Sequence, residues 1–276
     1  MSTRTPVVEG RFYPNSKDQI FEQIRQIEKK NRYPEIGEEP IQIFGAVLPH
    51  AGHLYSGYQT IPLFRMLKKL HIFPETFVIL HPNHTGMGRE QAVDDYDHWG
   101  NVIGDVPIDR EFADALSIPY DRLAHSREHS AEVIIPFLQY YFTSHPFSIV
   151  PICMLDQSYE SASWVAGHIS KAVETTQRRV MVIASSDFSH FLSPEQGESR
   201  DELVINEILG RNAPGIEQTV KQHQVSVCGY GPIMSLMEYA RAIDGDYKVR
   251  ILARGHSGEV IPSREVVDYI SIILYQ

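Results

Sequence analysis

Three short apolar runs in this chain end in residues able to do chemistry. Ile41 to Leu48 leads into Pro49-His50-Ala51-Gly52, and Phe77 to Leu80 leads into His81-Pro82-Asn83-His84-Thr85-Gly86. Val180 to Ala184 leads into Ser185-Ser186-Asp187-Phe188-Ser189-His190. Buried strands followed at once by His, Asp, Gly and Pro predict a cleft along the carboxyl ends of a sheet, where open α/β sheets bind ligands. Imidazole is both a metal ligand and a general base near neutral pH. The pattern reads as a site-bearing, metal-dependent protein.

Each motif also has a plainer structural reading. His50 is a ligand or base candidate because a second strand repeats its pattern; alternatively it is a core histidine satisfied by hydrogen bonds. His81 and His84, three apart in one loop, compete for the same inward position, and spacing does not choose between them; one is expected at the surface. Asp187 and His190 are also three apart, so the carboxylate can orient the imidazole and raise its basicity, or Asp187 caps the following turn. Cys228 precedes Gly229 and Gly231 near a helix start, where a thiol ionises more readily and serves as nucleophile or soft ligand. A buried structural cysteine is the equal alternative there, and the mid-strand Cys153 is read as core. Glu128, His129 and Glu132 form an acid–imidazole cluster at a helix start, where glutamates also complement the helix dipole. Asp94, Asp95 and Asp97 read as a solvated loop without a role.

The elements that position these residues follow from hydrophobic periodicity. Helices are predicted over Asp18–Lys30, Tyr58–Leu70, Ala131–Phe142, Ser161–Thr176, Asp201–Leu209 and Pro232–Ile243. Besides the three runs above, strands are predicted over Phe147–Leu155, Tyr247–Ala253 and Val266–Leu274. Residues 31–40, polar with two prolines, are expected to be a loop, and Arg89 to Gly104 a hairpin or lid. Strands and helices alternate through most of the chain, which predicts an α/β fold with a largely parallel central sheet flanked by helices. No linker or repeat divides the 276 residues, so residues 1–276 are expected to form a single domain.

The bulk numbers narrow the partners. A formal net charge of -10 argues against nucleic acid and against an anionic membrane surface. No apolar stretch approaches the ~20 residues of a membrane helix. Two cysteines form no disulfide framework, and the first residues carry no signal-peptide core; a cytoplasmic protein is expected. The absence of a GxGxxG turn, a Walker A loop, a CxxC pair and a GxSxG elbow argues against dinucleotide enzymes, P-loop ATPases, zinc ribbons and α/β-hydrolases.

Taken in order, these motifs resemble the Memo family. The matching segments are Gly10-Arg11-Phe12-Tyr13-Pro14, Pro49-His50-Ala51-Gly52, Pro82-Asn83-His84, Glu128-His129-Ser130-Ala131-Glu132, Ser185 to His190 and Cys228-Gly229-Tyr230-Gly231-Pro232-Ile233. The resemblance implies a fold similar to the LigB-type, class III extradiol dioxygenases, which use non-haem iron(II). It selects His84 over His81 and implies a metal site of His50, His84 and Cys228. It places His190, with Asp187 beside it, and His129 in acid–base positions. The dioxygenases hold iron through two histidines and a glutamate; a cysteine in the third position turns preference towards copper or zinc, or retunes iron. Three functions follow as expectations. The first is an iron(II)-dependent oxidoreductase on a small hydroxylated molecule, and the second a peptide- or metabolite-binding signalling protein on the same scaffold. The third is a metal-dependent hydrolase. Relatives often neighbour radical-SAM and AMMECR1-like proteins in genomes, which implies a shared pathway.

Overall fold

The computed structural model describes residues 1–30 and 40–276; nearly all of the loop expected over 31–40 lies outside the described residues. The strands are β1 (Thr3–Arg4), β2 (Ile43–Leu48), β3 (Thr76–Pro82), β4 (Gln91–Val93), β5 (His98–Trp99), β6 (Val106–Pro107), β7 (Ser148–Met154), β8 (Val180–Ser185), β9 (His190–Leu192), β10 (Lys248–His256) and β11 (Val266–Tyr275). The helices are α1 (Lys17–Lys30), α2 (His53–Lys69), α3 (Arg110–Leu116), α4 (Arg122–His125), α5 (Ile135–Tyr141), α6 (Tyr159–Thr176), α7 (Pro194–Leu209), α8 (Ala213–His223) and α9 (Tyr230–Ile243).

Strands β2, β3, β7 and β8 read as unbroken apolar runs because both of their faces are covered; β2 and β3 are buried at every residue. The main sheet runs β10-β11-β2-β8-β3-β7-β4, with β9 added on β11. The four central strands are parallel. The flanks are antiparallel, β10 on β11, β11 on β2 and β4 on β7. The expected parallel sheet is therefore confined to the centre. β10 and β11 follow one another with a short link and need no crossover helix.

Helix α9 packs over β2, β3 and β8 with α6 and α8 beside it, and α2 packs against β2, β10 and β11 with α1 and α5 beside it. Gly45 permits the α9 contact: a Cβ there would lie 2.2 Å from the Val182 carbonyl oxygen and 2.5 Å from Leu236 Cδ1. Among the described residues no helix is long and apolar enough to cross a membrane.

Two expectations change. The segment from Arg89 to Gly104 is divided: β4 joins the main sheet, while β5 starts an antiparallel hairpin that is completed by β6 beyond the segment and pairs with β1 in a small separate sheet. Asp94 is fully buried rather than solvated, accepting hydrogen bonds from Trp99 Nε1 at 2.5 Å and Tyr96 N at 3.1 Å. An aspartate whose acceptors meet an indole N–H and a backbone N–H can be buried at little cost; polarity alone hid this.

Candidate metal centre

Parallel strands β2, β8 and β3 lie side by side, so their carboxyl ends open on one edge and deliver His50, Asp187 and His84 together. The donor atoms of His50, His84 and Cys228 all lie within 4.8 Å of one another. That is close to the span allowed by metal–nitrogen and metal–sulfur bonds of about 2.0–2.3 Å. The imidazoles of His50, His84 and His129 cluster at centroid separations of 5.2 to 5.7 Å.

Hydrogen bonding fixes which nitrogen of each ring is free. The Ser185 hydroxyl donates its one hydrogen to the Ser130 carbonyl at 2.7 Å, so it must accept from His50 Nδ1–H, also at 2.7 Å. His50 Nε2 then keeps its lone pair, 3.3 Å from Cys228 Sγ. Burial first, and then the imidazoles of His84 and His129, hold His50 well below the usual histidine range. It is neutral and ready to coordinate at neutral pH.

His84 is the more exposed ligand, and Glu128 aims it. The Glu128 carboxylate accepts from His84 Nδ1 at 3.0 Å and from the His84 backbone N–H at 2.6 Å, which leaves Nε2 as the ring's free donor atom. Burial would lower the His84 pKa, but the hydrogen bond and charge of Glu128 outweigh it and raise it. Glu128 is itself fully buried and also accepts from His129 N and Ser130 N at 2.8 and 3.0 Å. Burial alone would raise its pKa; the bond to His84 and the nearby imidazoles hold it far below the usual carboxylate range. This carboxylate–histidine pair is the usual outer support of a metal ligand.

Cys228 sits on the loop entering α9, and Asp187 braces it. The Asp187 N–H points at Cys228 Sγ at 3.2 Å, and its carbonyl accepts from Cys228 N at 3.3 Å. The Asp187 carboxylate accepts from His50 N at 2.8 Å, so one residue ties two candidate ligands together. From behind, Gln157 donates to the Cys228 carbonyl at 2.8 Å and accepts from Gly231 N at 2.9 Å. Burial, then the Asp187 charge, pushes the thiol pKa up. The protein alone therefore keeps a thiol here, and a cation is what would make it a thiolate.

The anticipated pairing of Asp187 with His190 is replaced. His190 Nδ1 donates to the Ser226 carbonyl at 2.9 Å, and its backbone N–H to Ser226 Oγ at 2.8 Å. Among the described residues no hydrogen bond joins the two side chains. Asp187 is committed to the His50 backbone, which sequence spacing could not show. His190 Nε2 is left as a free acceptor. His129 lies edge-on to Phe12 with its Nδ1 3.4 Å from Glu128; burial lowers its pKa.

The acid–imidazole cluster splits in two. Glu132 takes no part in the cleft; it pairs with buried Arg4 at 2.9 Å and accepts from Val7 N, Val8 N and Tyr13 Oη. It anchors the amino-terminal segment that brings Phe12 to the site. His81 is buried, bonded to Ser130 and His125, and stands behind the cleft. Cys153 is fully buried, in line with its core reading. Ser185, Gln157 and Ser226 went unnoticed in the sequence, where a serine or glutamine beside a strand end carries no distinguishing signal. Behind the segment 187–190, Asp201 accepts from Ser189 N and Oγ, and buried Asp268 lies close by.

Comparison with known proteins identifies the family. A family model described as Memo-like protein matches residues 4–273. The chain is 38% identical to a MEMO1 family protein of Methanococcoides burtonii, over 98% of this chain and 99% of that protein. It is 39% identical to one from Archaeoglobus fulgidus and 36% identical to one from Methanocaldococcus jannaschii, each over 98% of both chains. Among solved structures, an uncharacterized protein from Escherichia coli K12 superposes with a TM-score of 0.54 at 14% identity, covering 84% of this chain and 99% of that one. That last likeness concerns the fold.

Proposed function

The chain belongs to the Memo family, and from that membership and the cleft geometry we propose a metal-dependent oxidoreductase acting on a small hydroxylated molecule. His50 Nε2, His84 Nε2 and Cys228 Sγ would hold one divalent metal, iron(II) first and copper or zinc next. When bound, the metal supplies a Lewis acid with open positions for a substrate oxygen. The observation carrying this reading is the convergence of three donor atoms, two of them on imidazoles whose other nitrogen is already engaged.

The remaining steps belong to the chain. His190, its Nδ1–H held by the Ser226 carbonyl, presents Nε2 to accept the proton of a bound hydroxyl. His129, stacked on His84 at 5.2 Å and kept neutral by burial, offers its ring N–H as a hydrogen-bond donor to a substrate oxygen, and the proton taken up by His190 returns to the product from the same Nε2. Asp187 keeps His50 and Cys228 in register. The test is oxygen uptake with a panel of catechols by iron-reconstituted wild type and His190→Ala, with metal content measured beside it. Uptake lost while metal is retained supports His190 as the base. Loss of metal from His190→Ala contradicts that role, and a fully loaded wild type with no uptake favours a binding function for the family scaffold.

A further inference from the structure

Away from the metal cleft, an open pocket of about 640 Å³ is lined by Arg89, Glu90, Gln91, Asp156, Glu160 and Trp164, among others. That volume is in the range of small-molecule sites. Trp164 is 42% exposed on α6, and its indole is steadied by His168 at a centroid distance of 4.2 Å. Glu90, Asp156 and Glu160 line the pocket with one guanidinium, Arg89; the Asp156 carboxylate accepts from Ser158 N and Oγ, and among the described residues no ion pair engages Glu90, Glu160 or Arg89. Gln91 is only 9% exposed. Its amide nitrogen donates to the Asp156 carbonyl at 2.6 Å and to Ser161 Oγ, while its Oε1 has no partner. A buried acceptor without a donor is uncommon and asks for an explanation.

The three features ask for the same ligand. An indole face attracts a cation, surplus carboxylates favour positive charge, and an unpaired amide oxygen needs an N–H donor. We propose that this pocket binds an organic cation, an alkylammonium or guanidinium group carried by a free polyamine or by a basic side chain of another polypeptide.

Its position bears on the metal centre. Asp156 and Ser158 line the pocket on either side of Gln157, the residue that clamps the Cys228 loop. Gly88 closes another edge four residues after His84, with a φ of +84° and no room for a Cβ, which would lie 2.7 Å from Ala124 N. An occupant therefore touches the two segments that position His84 and Cys228.

Isothermal titration of the full chain decides the matter, using spermidine and a blocked Ala-Arg-Ala peptide. Salt is held at about 150 mM, where a Debye length of ~8 Å suppresses diffuse attraction. The expected result is saturable binding of at least one probe, weakened tenfold or more by Trp164→Leu and by the exposed-site change Glu160→Gln. Metal content and circular dichroism are expected to match wild type in both. Binding of spermidine alone identifies a small polyamine as the ligand, and binding of the peptide alone a basic protein segment. No saturable binding of either probe overturns the proposal. So does binding that either variant leaves unchanged, since that would be general attraction to an acidic protein.

Discussion

Replacing Glu128 by Gln is the sharpest perturbation of the metal centre that leaves its three ligands in place. Glu128 Oε2 accepts from His84 N at 2.6 Å, while Oε1 faces His84 Nδ1, His129 N and Ser130 N within 3.0 Å. A glutamine must turn its NH2 towards one of these donor sets. The milder choice confronts the single His84 N–H, which leaves a buried donor unsatisfied at about 1–3 kcal/mol and releases the loop carrying His84. Loss of a ligand's outer partner lowers metal affinity about 10- to 100-fold, or about 1.4–2.7 kcal/mol. The pH dependence supplies a second signature. Glu128 raises the His84 pKa above the ordinary value, so in the wild type a proton competes with the metal for His84 up to a higher pH. Without the carboxylate, burial pulls that pKa down and the competition retreats to lower pH. The affinity gap is expected to be widest near pH 8 and to narrow towards pH 6. Competition against a chromogenic chelator at both pH values measures it, with thermal melts of the metal-free forms beside it. Affinities within twofold at pH 8 would refute the role given to Glu128.

Further perturbations probe other supports. Ser185→Ala removes the acceptor that holds His50 Nδ1–H and the donor to the Ser130 carbonyl; metal affinity is expected to fall about tenfold, and an unchanged value in the same chelator assay would contradict the assigned tautomer. Gln157→Ala strips partners from the Cys228 carbonyl and Gly231 N, which is expected to cost about 1–3 kcal/mol in denaturant unfolding; a change below 0.5 kcal/mol (the order expected of a surface site) would mean that the clamp is idle. Burial, and then repulsion from Asp201, raises the Asp268 carboxyl to about 7. The folded chain keeps that proton where the unfolded chain has lost it, so the contribution is fully present below about pH 4 and declines as pH rises to about 7, by at most about 1.4 kcal/mol per unit. Asp268→Asn is expected to flatten this part of the stability–pH curve, and an unaltered slope between pH 5 and 7 would show that the carboxyl pair does not titrate there.

The strand ends were legible because burial writes apolar runs and chemistry interrupts them. His50, His84 and Asp187 could thus be placed on one edge from sequence, although His84 was separated from His81 only by family resemblance. The two residues follow the same strand, and no periodicity distinguishes a ring facing the cleft from one buried behind it. Glu128 was ambiguous because a glutamate at a helix start serves the dipole equally well; its bond to His84 spans 44 residues and depends on the fold. For Asp187 the sequence offers His190 or the following turn, both close by in the chain, whereas its carboxylate accepts from His50 N, 137 residues away. Helix α7 begins at Pro194, seven residues before the expected Asp201; Ser193 and Gln196 form a capping box with Pro194 inside it, a signal that was available. Helix α8 similarly follows Asn212 with a proline in its first turn. The two-residue strands β1, β5 and β6 are too short to carry a pattern.

The most direct measurement is metal content of the anaerobically purified chain beside His50→Ala, His84→Ala and Cys228→Ser. The account predicts near one divalent transition-metal ion per wild-type chain, lost or greatly reduced in each variant while all three remain folded. A wild type without metal after reconstitution, or variants that keep their metal, would contradict a centre built on these three residues.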